Sequence, residues 1–486
     1  MRANYRASQS TQFQLLSDDQ LAELLQASLH VWEQVGMDVH HEETRQILTD
    51  SGAYVDGVRV RMPAVMIRQA LATAPRSFTV FSREGNPAKD VRIGQGRISY
   101  GPGPTCPNFL DPLTQERRPY LRRDASAVAK VCDALPNIGF VESLGVINDV
   151  RPALSDSYEF AEMFPNTGKP IVAWSYGASG ARDIHEIAVA EAGGQEAFEL
   201  RPNYIHYCEP LSPLVCAAEA LDKAIFAATH RVPLIFTPCV ISGATGPTTM
   251  AGVLVQGACE SWLGLVLSQI LRPGTPFIMG GVVSIMDMGE MVLAYGAPEL
   301  SLLSAGITEF AHYVGLPVWS TGGCTDSKTI DGQAALEGAL SVFYAGMCGA
   351  DLVHDVGYIE GAMTGSLQML VMMDEAIGMV RHIAKGITVN DETLALGTVA
   401  EVGAAGNYLA EEHTLRHFKQ EFWFPKLMSR QRLHDWERQG RTTMGQRAQT
   451  RLEKILESHK PAPISEATGK AIERVLGLAE AREKYN

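Results

Sequence analysis

Eight short runs of β-branched or aromatic residues recur through the middle of this chain, each starting roughly 30 to 43 positions after the one before. They are RISYG (97–101), GFVESLG (139–145), IVAWSYG (171–177), YIHYCE (204–209), LIFTPC (234–239), FIMGG (277–281), PVWSTGG (317–323) and DLVHDVG (351–357). Each ends in small or polar residues, and an Ala- or Leu-rich stretch of helical length separates almost every pair. Strand–helix alternation of this kind builds right-handed β-α-β units on a parallel sheet, and eight units close a (β/α)8 barrel. The expected fold class is therefore α/β, a TIM barrel. Such barrels carry their site at the C-terminal ends of the strands. Those ends hold Tyr100, Trp174, Tyr176, Tyr207, Glu209, Cys239, Trp319, His354 and Asp355.

The rest of the chain reads as additions to the barrel, which is expected over 97–387. Residues 1–96 form an N-terminal α/β extension. Ser17 with Gln20 is a capping-box start for a helix to about Val35, a second helix runs from about Glu42 to Ser51, and a third follows Pro63. SFTVF (77–81), DVRIG (90–94) and RISYG suggest a small antiparallel sheet with a turn at Gly94–Gly96, so 97–101 reads equally as its last strand or as the first barrel strand. DPLTQERRP (111–119) is turn-rich and reads as a hairpin before the first barrel helix. Beyond about Thr388 no strand signal returns. Residues 388–486 read as a helical extension, with helices at 391–405, 408–422, 427–457 and 464–484.

Composition narrows the partners. The chain has 486 residues and a formal net charge of −14, which opposes nucleic acid, whose phosphates need a basic face. No pair among the eight cysteines has C-x-x-C spacing, so buried free thiols in a reducing compartment are expected, with a zinc site built from Cys208 and His206 or His354 as the lesser alternative. No leader pattern is visible, and no uncharged apolar run clearly reaches the ~18 residues that span a bilayer. A cytoplasmic protein without a membrane partner is expected.

Several constellations bear on chemistry. The glycine-rich stretches GPGPT (101–105), SGATGP (242–247) and STGGCTDSK (320–328) follow strands, where backbone N–H groups can meet an anion. None matches a phosphate-loop or dinucleotide pattern, and glycine that simply makes turns explains them as well. Tyr100, Trp174, Tyr207 and Trp319 end different strands and can converge at the barrel mouth. A box of ring faces suits a quaternary ammonium, which offers no hydrogen-bond donor; packing beneath loops is the plainer reading of each ring. His354 beside Asp355 can act as acid or base or orient a carboxylate, and Glu209 can add charge. Asp326 serves as well to cap a turn as to touch ligand. There is no G-x-S-x-G elbow and no Lys within a strand-end run, which weakens hydrolase and Schiff-base chemistry.

At RISYGPGPT with DPLTQERRP (97–119), DALPNI (133–138), STGGCTDSKTIDGQAALE (320–337), the run from HDVGYIE (354–360) to DEAIGMV (374–380), and HTLRHFKQEFWFP (413–425), the chain resembles the trimethylamine methyltransferase (MttB-like) family over nearly its whole length. The resemblance implies a barrel that moves a methyl group from a methylated amine to the cobalt of a corrinoid (cobalamin) on a separate corrinoid-binding protein. Family members acting on trimethylamine carry pyrrolysine, whereas this sequence holds only the twenty standard residues. It is thereby similar to the branch typified by glycine betaine:corrinoid methyltransferase. A quaternary nitrogen already leaves as a neutral amine, so no imine electrophile is needed to activate it. On this reading the trimethylammonium meets Tyr100, Trp174, Tyr207 and Trp319, with Glu209, Asp326 and Tyr358 adjoining. His354 is the catalytic candidate and meets the carboxylate. Gly280, Gly281, Gly322 and Gly323 face the corrinoid, no metal is bound by the chain itself, and a homo-oligomer is expected. Another betaine, carnitine or a sulfonium donor, or a non-catalytic betaine-binding protein of the same fold, are the alternatives.

Overall fold

The computed structural model describes residues 13–94 and 96–485. All eight expected strand segments lie side by side in chain order. Ser99–Tyr100, Ile171–Trp174, Tyr204–Cys208, Leu234–Phe236, Phe277–Gly280, Val318–Thr321 and Leu352–His354 form one parallel sheet, and Leu352–Val353 pairs in turn with Ser99–Tyr100. Strand two closes the ring through single parallel bridges, Tyr100 to Ile138 and Val141 to Ile171. The protein is a (β/α)8 barrel. Residues 97–101 are its first strand; Phe78–Val80 and Val91–Ile93 pair antiparallel on their own. Gln95, at the centre of the expected turn after them, lies outside the described residues.

Strand two is irregular because its edges share so few ladder bonds, and a buried side chain makes up for them. Lys169 Nζ donates to the carbonyls of Cys132, Leu135 and Ile138 at 2.5, 2.7 and 2.7 Å. The first two belong to the end of helix Arg122–Ala134, where carbonyls lack intrahelical partners, and the third to strand two itself. Burial pulls the Lys169 pKa down to about 8.

The barrel interior is apolar at its N-terminal end and sealed there. Val80, Val91 and Ile93 of the antiparallel pair cluster with Phe140, Val172, Ile205, Ile235, Ile278, Trp319 and Leu352, all pointing inward. Asp351 fastens this plug, accepting from the amides of Gly94 and Val318 at 2.7 and 2.9 Å. Access to the interior is thus from the C-terminal end.

The expected helices are present around the ring, from Ser155–Met163 to Leu367–Ala384. Met250–Leu271, whose apolar run Glu260 interrupts, is long and apolar enough to cross a bilayer by length and composition. Most of it is buried within the protein: helices Asp18–Gln34 and Ala64–Thr73 pack on its outer side and Leu234–Phe236 and Phe277–Gly280 on its inner side. The Ser17–Gln20 capping box forms as expected. DPLTQERRP forms the expected hairpin, Asn108–Leu110 against Arg117–Pro119. In the C-terminal stretch, the helix expected over 427–457 is instead Leu433–Arg438 and Met444–Ser458. Met444–Ser458 and Glu466–Tyr485 pack on barrel helices, whereas between residues 387 and 443 Leu427 is the one buried side chain.

Replacing Lys169 by Met leaves three buried carbonyls without a donor, and should lower unfolding stability by about 3 kcal/mol or more, measured by denaturant titration. A loss below about 1 kcal/mol would show that strand two closes the ring unaided.

Candidate active site

Two small sheets rim the open end of the barrel. One is Cys239–Ser242 with Val282–Asp287 and Val292–Ala294; the other joins Tyr358–Ile359 and Thr364–Gly365 to the 108–119 hairpin. Between them and the strand ends lies a cavity of about 870 Å³, floored by Tyr207, Cys239, His354 and Asp355. Its walls carry the carboxylates Glu209, Asp287, Glu290, Asp326 and Glu360, in addition to Asp355, and one ammonium group, Lys328. A concave, partly apolar pocket with so lopsided a charge favours a cation.

The floor is a packed stack. The His354 ring lies on Trp319 with centroids 4.4 Å apart at 18°, and Trp319 touches Phe140 and Tyr207 at 5.4 and 6.1 Å. His354 Nδ1 sits 2.8 Å from Asp355 Oδ1, off the line of a regular hydrogen bond, and Nε2 lies 3.2 Å from Thr321 Oγ1. Asp355 holds this place with φ of +69°, a left-handed backbone that costs energy outside glycine. Gly103 makes room for it: a Cβ there would stand 1.9 Å from Asp355 Oδ1 and 2.5 Å from the Tyr358 hydroxyl. The Tyr207 hydroxyl donates to Glu209 at 3.0 Å; burial, then the Glu209 charge, pushes its pKa well up. Burial pushes the Cys239 thiol up to about 12, so it is no thiolate nucleophile at neutral pH.

Among the expected site residues, Tyr207, Glu209, Asp326 and His354 line the cavity. Trp319 lies buried beneath it. Trp174 is half-buried in the same inward layer, its Nε1 donating to Glu159 at 2.6 Å. Tyr358 is buried and accepts from the Thr105 amide at 2.8 Å, a strut for the wall. Asp326 is a loop cap as well as a lining residue, its oxygens accepting from the amides of Tyr295 and Gly296 at 2.8 and 2.7 Å. Tyr100 is a correction. Its side chain leaves the barrel on the outer face and its hydroxyl donates to the Val342 carbonyl at 3.2 Å, under helix Gly332–Met347.

The four glycines also need correcting. The amides of Gly281, Gly322 and Gly323 donate to Trp319 O, His354 O and Ser341 Oγ at 3.4, 3.0 and 2.9 Å, so none is free for a cofactor. Gly280 is required by close approach instead, since a Cβ there would stand 2.0 Å from the Trp319 carbonyl. The zinc alternative finds no grouping of three or more metal-binding side chains among the described residues.

Residues 2–477 match the family model described as trimethylamine methyltransferase (MTTB). The chain belongs to the trimethylamine methyltransferase family. It is 31% identical over 474 residues to the trimethylamine methyltransferase of Desulfitobacterium hafniense, covering 96% of this chain and 94% of that one. It is 29% identical to a glycine betaine methyltransferase of Desulfitobacterium hafniense strain Y51, covering 93% and 94%. The chain is thus a methyltransferase of the corrinoid-dependent type. Among solved structures, the monomethylamine methyltransferase of Methanosarcina barkeri shares the fold, with a TM-score of 0.52 at 10% identity over 97% of this chain and 88% of that one.

The methyltransferase cavity also holds residues that strand-end reading passed over. Asp287, Glu290 and Tyr295 come from the stretch between strand six and helix Pro298–Tyr313, and Glu360 follows strand eight. A connection of that length in a barrel is itself a functional signal.

Gly103→Ala forces Asp355 and Tyr358 out of place and should abolish most methyl transfer while costing about 1–3 kcal/mol of stability. Activity within twofold of the parent, measured alongside a melting curve, would show that the Asp355 position is not needed.

Proposed function

We propose that this methyltransferase takes its methyl group from a quaternary amine, glycine betaine foremost, and passes it to the Co(I) corrinoid of a partner protein. The acidic cavity at the barrel mouth carries the reading. A permanent cation without N–H groups is held by charge and ring faces, and the cavity supplies both through its carboxylates, Tyr207 and Tyr295. The kinship with a glycine betaine methyltransferase supports the same choice. Lys328, at the rim, is the lining cation able to meet the carboxylate of a betaine. His354, with both ring nitrogens turned to Asp355 and Thr321, is read as positioning Asp355 rather than as that anchor.

The mouth also fits a corrinoid carried from outside. Met288, Met291, Val292 and Met363 are exposed on the loop and hairpin tips around it and would meet the apolar face of the macrocycle. When bound, the corrinoid supplies the cobalt nucleophile that accepts the methyl group. The chain's own part is positioning and exclusion of water, with the sealed barrel behind the substrate. Binding of the cation is kept moderate, because Glu360 is paired with Arg117 at 2.8 Å and Asp326 with two amides. That suits a reaction in which positive charge on nitrogen disappears, since a tight grip on the cation would favour the ground state.

Purified protein with free cob(I)alamin and a panel of amines tests this. Glycine betaine should convert the Co(I) spectrum to that of methylcobalamin, and trimethylamine should not. Turnover of trimethylamine, or of no quaternary amine, overturns the assignment. Tyr207→Leu keeps apolar bulk without the ring and should weaken betaine binding by about 0.5–2 kcal/mol, roughly two- to thirty-fold.

A further inference from the structure

Strand two brings a further carboxylate into the barrel, below the cavity. Phe140 points inward against Trp319; two residues on, by strand alternation, so does Glu142. It is fully buried, and neither carboxylate oxygen has a hydrogen-bond partner among the described residues. Trp319 Nε1 and Asp355 Oδ2 in the same layer are likewise buried and unpartnered. Glu142 is near enough to Asp355 and Tyr207, both of the cavity floor, for the charges to be felt. A buried carboxyl group without partners is costly in a folded protein, and such a group calls for a ligand.

The groups around it say which ligand. The charges felt at Glu142 are those of Asp355, after strand eight, and of Glu159, on helix Ser155–Met163, and the charge of Glu142 itself reaches Tyr207 on strand four. Burial, and then the charges of Asp355 and Glu159, push the Glu142 pKa well up, which favours the protonated carboxyl in the absence of a cation. The inward layer of the barrel also carries the rings of Trp174, Tyr207 and Trp319. A carboxylate without hydrogen-bond donors beside ring faces suits an organic cation without N–H groups, and no grouping of three or more metal-binding side chains exists among the described residues.

We propose that Glu142, buried and without hydrogen-bond partners below the cavity floor, is the counter-ion of the methyl donor's quaternary nitrogen, which settles on that floor over Tyr207. Arrival of the cation favours the ionised carboxylate, and the carboxyl proton passes to solvent. This rests on the quaternary-amine reading above and adds the residue that balances the charge. When the C–N bond breaks, its electron pair stays on nitrogen and the cation becomes a neutral amine. The attraction then ends and Glu142 regains a proton from solvent, so the residue that holds the donor loosens the product.

Titration calorimetry with glycine betaine and with tetramethylammonium, in buffers of different ionisation heat, separates the possibilities. The wild type should release a proton on binding either cation, and its affinity should rise with pH, because the cation prefers the ionised carboxylate. Glu142→Gln should bind both roughly tenfold or more weakly, with no proton release and a flat pH profile. The carbon isostere 3,3-dimethylbutanoate should not distinguish the two proteins. Folding is checked by melting. A raised carboxyl pKa contributes stability below the unfolded value of about 4.3 that is lost as pH rises, so the Gln variant should gain on the wild type at higher pH. Equal affinity and equal proton release in both proteins overturn the counter-ion role and leave the methyl donor standing. Failure of the wild type to bind any quaternary cation overturns the quaternary-amine reading itself.

Discussion

Closure of the ring depends on strand two, where the backbone contributes isolated bridges and the Lys169 ammonium gathers the carbonyls that the sheet leaves over. A buried cation among neutral carbonyls works because each would otherwise be unsatisfied, and because the helix end beside it already presents negative partial charge. Once the ring is shut there and plugged below by Val80, Val91 and Ile93, the interior is closed to solvent at that end. Burial is what gives the inward polar residues their force, since a charge or a ring face acts more strongly away from water. The site is therefore a product of closure rather than of any one motif.

Two grades of carboxylate follow from this. Those of the rim are solvated, paired or used as caps, and they set a general negative field that concentrates cations at the mouth. In the interior, Glu159 is buried and accepts from Trp174 Nε1 at 2.6 Å, whereas neither oxygen of Glu142 has a partner among the described residues. Between the two lies the stacked floor of Trp319 and His354, held in register by strands seven and eight. Asp355 stands at the boundary, which is where its strained backbone is found.

The barrel was legible because β-branched and aromatic residues mark buried strands and recur at a spacing that only helical crossovers fill. Which strand-end residues face the ligand was less so, because strand ends alternate in and out. Tyr100 shares the outward parity of Val353, its register partner across the ladder, and so lies under a helix. Glu142 shares the inward parity of Phe140, and that alternation was open to reading, but it sits within a run and not at its end. The glycines misled for a related reason. Backbone amides after a strand are free only if no neighbour takes them, and Trp319, Ser341 and His354 do. Nothing local in sequence reports such partners. The lining from 282–297 was hidden because it forms strands of its own outside the barrel order.

Helix Met250–Leu271 has almost no polar face, being packed on the sheet on one side and under Asp18–Gln34 and Ala64–Thr73 on the other. The indole of Trp32 is fastened to its Cys259 carbonyl at 3.1 Å. Its composition is that of a span, and what distinguishes it from one is the cover that comes from the beginning of the chain. The cover precedes the helix along the chain, so during synthesis the segments that bury its outer side leave the ribosome before the apolar segment does.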